Sequence, residues 1–140
     1  MAGTIVADNI QAASTSTLVL KNGVANTPPT IQDSAGTQIG TFCRAWVNFD
    51  GTTNVGGFCT IRASFNVTSV ADGGTGIYTV NFTNALPDAN YAITGTALGG
   101  SNGCISYITP SFTTTSCIFA AVSNANVVYD PTQVSIAVFR

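Results

Sequence analysis

From Thr41 to Arg140 the chain alternates apolar with small polar residues at a period of two, the repeat of an extended strand with one buried face. The alternation is cleanest over Ile77–Thr83. There Tyr78, Val80 and Phe82 share one side, and Ile77, Thr79, Asn81 and Thr83 share the other. Similar runs, rich in Val, Ile, Thr, Phe and Tyr, occupy Phe42–Phe49, Phe58–Val67, Tyr91–Ala97, Cys104–Thr109, Ser116–Val122 and Gln133–Phe139. β-Branched and aromatic side chains fit a pleated, half-buried surface. Turn-forming clusters separate the runs: Asp50-Gly51, Asp72–Gly76, Leu86-Pro87-Asp88, Gly99–Gly103 and Tyr129-Asp130-Pro131. No segment keeps a helical period. The pattern predicts an all-β fold, an antiparallel β-sandwich of about seven strands over residues 41–140. Its expected core is Trp46, Phe49, Ile61, Phe65, Val67, Tyr78, Val80, Phe82, Tyr91, Ile93, Phe119 and Val138.

Residues 1–40 read differently. Two short apolar stretches, Thr4–Ala7 and Leu18–Leu20, sit among Ala, Ser, Thr, Asn and Gly, with Pro28-Pro29 as a rigid break; Thr4–Asp8 and Thr17–Lys21 read as short strands. Such a segment buries too little apolar surface to offset its own ordering entropy. An extended N-terminal arm is therefore expected, one that stays loose, docks on another protein or pairs with copies of itself through its unpaired strand edges.

Composition narrows the functional classes. The chain has no histidine, no glutamate and a single lysine, Lys21; 7% of its residues are charged, against about 25% in ordinary soluble domains. Its acid/base inventory is six aspartates in separate segments: Asp8, Asp33, Asp50, Asp72, Asp88 and Asp130. Enzymes run largely on tuned His, Glu, Asp, Lys and Cys groups, so a building block or a binding surface is expected rather than a catalyst. The net charge of -2 and the scattered Arg44, Arg62 and Arg140 offer nothing to a phosphate backbone, so nucleic acid is not an expected partner. No apolar run reaches the ~18 residues of a membrane span. The segment Met1-Ala2-Gly3-Thr4 has no positively charged and apolar leader, so synthesis in a cytoplasm without secretion is expected.

The motifs that could carry chemistry are weak. Gly99-Gly100-Ser101-Asn102-Gly103 matches the G-x-S-x-G spacing of a nucleophile elbow. That motif needs a helix after it and a histidine to take the serine proton, and neither is offered. Cys43, Cys59, Cys104 and Cys117 form no C-x-x-C pair, and no histidine completes a zinc site. A hairpin across Asp50–Gly57 would set Phe49 opposite Phe58 and Cys43 near Ser64, out of register with Cys59. One around Ser111–Thr114 would set Cys117 near Ile108, away from Cys104. Buried free thiols are expected in a chain made in a cytoplasm. Asn66-Val67-Thr68 and Asn81-Phe82-Thr83 fit the glycosylation sequon but lie in expected strands. Asp50, Asn54 and Asp72 would meet in a calcium site only through tertiary placement, since no D-x-[DN]-x-[DN]-G loop is present. Trp46, in an alternating strand, is expected in the core rather than as a ligand platform. No catalytic, cofactor-binding or metal site is expected.

One ordered set of motifs goes beyond fold class. Arg44-Ala45-Trp46-Val47-Asn48-Phe49-Asp50-Gly51 is followed by Ile61-Arg62-Ala63-Ser64-Phe65-Asn66-Val67, then by Asp72-Gly73-Gly74-Thr75-Gly76-Ile77-Tyr78-Thr79-Val80-Asn81-Phe82 and Leu86-Pro87-Asp88-Ala89-Asn90-Tyr91. This succession resembles a recurring module of bacteriophage fibre and other virion proteins from phages of marine and freshwater bacteria, cyanobacteria included. Ala2–Gln11 is similar to the short leader of such proteins. The chain departs from the pattern in a longer Asp50–Gly57 loop and in the Phe-Cys steps at 42–43 and 58–59, and beyond Tyr91 the similarity fades. The resemblance implies a virion structural protein made in the host cytoplasm. Residues 1–40 would attach to other virion proteins, and the β-domain would project. A tail-fibre-type subunit that binds the host surface is the leading expectation; a capsid decoration or head-fibre protein is the alternative. A homotrimer is expected, because a fibre axis favours closed threefold symmetry. Loops on a rigid scaffold are free to present side chains, so Gly99–Gly103 and Ser123–Pro131 are the expected contact loops. In them, Asn102, Asn124, Asn126 and Tyr129 are the candidates for contact with a host surface glycan, weak binding multiplied by copy number.

Overall fold

Ten short strands account for most of the backbone in a computed structural model that describes residues 31–99, the backbone of 103–106, and residues 111–140. They are β1 (Ile31–Gln32), β2 (Gln38–Gly40), β3 (Cys43–Val55), β4 (Phe58–Phe65), β5 (Val67–Asp72), β6 (Ile77–Phe82), β7 (Ala92–Leu98), β8 (Gly103–Ser106), β9 (Ser116–Val122) and β10 (Gln133–Phe139). β1 and β2 form a small exposed hairpin of their own. β3 to β10 close into one antiparallel ring in the order β10-β3-β4-β5-β6-β9-β8-β7, with β7 pairing back onto β10. The all-β antiparallel prediction holds. The sandwich edges are joined into a ring, which leaves less strand edge open to pair with a stranger. Its thinnest seam is β4–β5, held by the single pair Phe58–Ala71. Among the described residues there is no helix long and apolar enough to cross a membrane. The expected arm strands at Thr4–Asp8 and Thr17–Lys21 lie outside the described residues.

The ring is filled by the inward positions that alternation selects. Val47 and Phe49 of β3, Tyr78 and Val80 of β6, Phe119 of β9 and Val134, Ile136 and Val138 of β10 are buried. Two aromatic groups stack along the interior. Phe49 meets Tyr78 edge-on with ring centroids 5.0 Å apart, and Phe119 completes that group. Towards the other end Phe82, Tyr91 and Phe112 pack together. The Tyr91 hydroxyl donates to the carbonyls of Thr113 and Ser116, which satisfies its polar tip inside the core. Tyrosines apart, no polar or charged residue is buried among the described residues, so the interior holds together mainly by packing.

Two expected core residues are on the outside. Trp46 is 40% exposed and Phe65 is 55% exposed. Ala45, Val47 and Phe49 take the inward positions of β3, which by alternation leaves Trp46 outside. Phe65 faces it across the ladder and shares that side. Ile61 and Ile93 are half-buried and pack against the core.

The β3–β4 hairpin also corrects the expected register. Asp50-Gly51 makes no turn. β3 runs on to Val55, the chain reverses at Gly56-Gly57, and Phe49 faces Ile61 rather than Phe58. Both glycines have left-handed φ angles, 63° and 88°, which suit a two-residue hairpin turn that matches strand twist. A second departure is at Asn66. The expected Phe58–Val67 strand breaks there into β4 and β5, with Asn66 at φ 55°. Its amide donates to the carbonyls of Arg44 and Asn84 and its oxygen accepts from the Asn84 backbone, so the side chain fastens the corner. Cys43, Cys59 and Cys117 are free thiols. Cys104 pairs with Val122, away from Cys117 as expected, though one residue from the expected register.

Because every strand is antiparallel to its neighbours, the connections fall at two ends. The near end holds Thr41 and Phe42, the Asn66 corner, residues 83–91 and 111–115, and Arg140. The far end holds the Gly56-Gly57 turn, residues 73–76, the end of β7 at Gly99, and residues 123–132.

Candidate functional site

Gly99, where one expected contact loop begins, meets the end of the other at the far end. Gly99, which follows β7, packs on Pro131 and Thr132, and the Thr132 hydroxyl donates to the Leu98 carbonyl at 3.1 Å. The structure thus brings the start of the Gly99–Gly103 connection against the end of Ser123–Pro131. Asn102 lies outside the described residues. Residues 123–127 form a tight turn: Ser123 N–H donates to the Val127 carbonyl and Asn126 N–H to the Ser123 carbonyl. Asn126 takes a left-handed φ of 58°, which asparagine tolerates better than most residues. The turn leaves Asn124 and Asn126 exposed. Tyr129 is half-buried, and its buried hydroxyl has no hydrogen-bond partner among the described residues.

Beneath the loops lies a polar lock. Asp130 accepts from the Gly76 N–H at 2.6 Å and from the Tyr78 hydroxyl at 3.1 Å; that hydroxyl also lies 3.1 Å from the Gly51 carbonyl. Gly51 N–H donates to the Pro131 carbonyl. Burial first, and the Asp130 charge second, hold the Tyr78 phenol far above its ordinary range, so it stays protonated. Next to this lock, the Arg62 guanidinium donates to the Asp50 carboxylate at 2.9 Å and to the Thr132 carbonyl at 2.7 Å. The Asp50 carboxyl is lowered, chiefly by the Thr52 hydroxyl and N–H and then by Arg62. The 123–132 loop is therefore fastened to β3, β4 and β6 at named atoms, and only its tip is free to present side chains.

Each described aspartate has a structural partner. Asp33 accepts from the backbone N–H groups of Ala35 and Thr37 within the β1–β2 turn. Asp72 accepts from Gly74 N–H and from the Asn54 amide. Asp50 and Asp130 are committed as described above. The notion of a calcium site from Asp50, Asn54 and Asp72 fails on this geometry, because Asn54 points its amide nitrogen at Asp72 and Arg62 occupies Asp50. Among the described residues no group of three metal-ligating side chains comes together. Burial, then the charges of Asp72, Asp130 and Asp50, pushes the Cys59 thiol up to about 11; burial alone pushes Cys117 up to about 12. Neither forms the thiolate a nucleophile requires at neutral pH.

At the near end Arg140 makes a two-point bridge to Asp88, with Nε to Oδ1 at 2.8 Å and Nη2 to Oδ2 at 2.6 Å. This bridge, helped by the Asn90 N–H, lowers the Asp88 carboxyl to about 2. A carboxyl more acidic in the folded than in the unfolded chain gives stability that is full above its unfolded pKa of 3.8 and lost as pH falls through about 2. The pair is exposed to solvent, so the contribution is small. We expect Asp88→Asn to lower Tm by roughly a few degrees near neutral pH. That gap should close between about pH 4 and pH 2, as read by paired melts across the pH range. A gap that persists at about pH 2 would assign the loss to the Asp88–Asn90 turn instead.

Sequence reasoning did not find the Asp130–Tyr78 lock or the exposed Trp46–Phe65 pair. The Gly56-Gly57 pair signals the turn, but two register shifts, between Asp50 and Val55 and between Asn48 and Phe49, stand between that turn and the Trp46–Phe65 pairing.

No family model matches the chain, and no curated protein matches it. Among solved structures, the chain is similar to the phiAB6 tailspike, whose crystal structure is in complex with three-repeated oligosaccharides of Acinetobacter baumannii surface polysaccharide. The TM-score is 0.45 and the sequence identity 14%, over 88% of this chain and 30% of that one. The chain spans under a third of that protein, and a likeness at this level carries nothing about activity or ligand.

Proposed function

We propose that the chain is a structural subunit of a phage virion, of tail-fibre type. Its N-terminal residues attach to other virion proteins, copies assemble as a homotrimer, and the far end of the barrel binds a host surface glycan. The observation that carries the reading is the polarity of the ring. The chain enters at the near end, through Thr41, whose hydroxyl donates to the Arg140 carbonyl at 2.6 Å. The exposed tips at Asn124 and Asn126 lie at the opposite end. An attachment segment at one pole and presenting loops at the other is the arrangement a projecting subunit needs. The motifs that resemble phage fibre modules run from β3 to the start of β7, while the loops at the far end lie mostly outside them, where a tip would vary with its target. The commitment of every described aspartate to a structural partner supports binding rather than catalysis.

The test uses particles that carry Asn124→Ala with Asn126→Gly, the glycine keeping the left-handed turn. Adsorption to host cells should fall at least tenfold while particle yield is unchanged. Normal adsorption would remove the far-end tip from host binding. Labelling of the chain in intact particles separates the locations: signal at the tail supports the fibre reading, and signal over the head replaces it with capsid decoration.

A further inference from the structure

The outer face of β10-β3-β4 carries an apolar row that nothing in the described chain covers. Ala137 faces Trp46, and Trp46 faces Phe65, so the row crosses three strands at one level. Phe139, 37% exposed, and Ala92 of β7 lie directly opposite one another just beyond it, and exposed Phe42 precedes β3. Large exposed apolar patches on sheets mark interaction sites. We propose that this face packs against a second copy of this chain; the inference rests on the assembly reading above and assigns the interface within it.

Three observations select a copy as the occupant. Two polar neighbours are already spent: the Asn48 amide donates to Ser135 at 2.7 Å, and Asn66 is tied to Arg44 and Asn84. Sugar recognition needs donors and acceptors set beside the aromatic rings, and those groups point elsewhere. The row also lies at the near end, where the thirty residues that precede the described chain lead in through β1 and β2. Copies gathered by those residues would meet first on this face. Finally, with a net charge of -2 over the whole chain, copies repel one another little.

The experiment measures the mass of the full-length chain in solution by light scattering and sedimentation, beside Trp46→Ser/Phe65→Thr and, separately, Ala137→Arg. The second variant adds a bulky charge to the row without removing any core side chain. Wild type should be oligomeric, and both variants should associate at least about 100-fold more weakly, with an unchanged far-UV spectrum. An unfolded double variant leaves Ala137→Arg to decide. Variants as oligomeric as wild type would overturn the interface while leaving fibre assembly through other residues in place. Variants that keep their mass but lose binding to host polysaccharide would make the row a sugar platform instead. A monomeric wild type would overturn the interface and the homotrimer together, whereas host binding is judged separately by the adsorption test.

Discussion

Phe49→Ala is expected to destabilise the barrel by about 3–5 kcal/mol, the usual range for an aromatic removed from a packed core. Phe49 is fully buried, and its ring is the one that Tyr78 meets edge-on at 5.0 Å and Phe119 at 6.4 Å. Removing it leaves a hole between three strands of the ring that backbone pairing prevents from collapsing. Against a total of about 5–15 kcal/mol for a domain, the loss is large enough to leave a measurable unfolded population. Urea unfolding followed by near-UV signal reads it directly. Phe58→Ala is the control: Phe58 is 47% exposed beside the hairpin turn and should cost about 1 kcal/mol or less. Equal losses for the two would mean that the aromatic group is not the centre of the core.

Gly76→Ala should be the most damaging change at the far end, at about 2 kcal/mol or more. A Cβ at Gly76 would lie 2.7 Å from the Tyr129 nitrogen, 2.8 Å from the Tyr129 oxygen and 2.9 Å from the Ala121 oxygen. All three are backbone atoms, so the 123–130 loop itself must shift. Gly76 also has φ +69°, costly for any residue with a Cβ. The shift strains two hydrogen bonds, Gly76 N–H to Asp130 at 2.6 Å and Ala121 N–H to the Gly76 carbonyl at 2.8 Å. Gly74→Ala separates the causes, since Gly74 has φ +107° with nothing within 4 Å, and conformational strain alone should cost about 1 kcal/mol. If the far-end loops bind the host, Gly76→Ala should also reduce adsorption by the particles that still assemble, and Gly74→Ala should not. Identical behaviour of the two would mean that Gly76 does not position the loop.

Local pattern was enough to set the class of fold, most of the strands and most of the core. Alternation over Ile77–Thr83 placed Tyr78, Val80 and Phe82 inside, and the Asp72–Gly76 cluster turns where its residues demand. Cys104 pairs with Val122, away from Cys117. These features are legible because a period of two and the chemistry of a turn act over a few residues and ask little of the rest of the chain. Three features were decided only in three dimensions. Trp46 and Phe65 are as apolar as their buried neighbours, and a one-residue choice of face, made by Ala45, Val47 and Phe49 filling the interior, put them outside. Asn66 reads as part of a strand, but its bonds to Arg44 and Asn84 make it a corner, and β5 emerges as an eighth member of the ring. Asp130 looks like an ordinary turn residue before proline, yet it fastens Gly76 and Tyr78, residues more than fifty positions away. Nothing in a linear chain marks such a pair, because its energy exists only once the closed ring has carried both ends to the same pole.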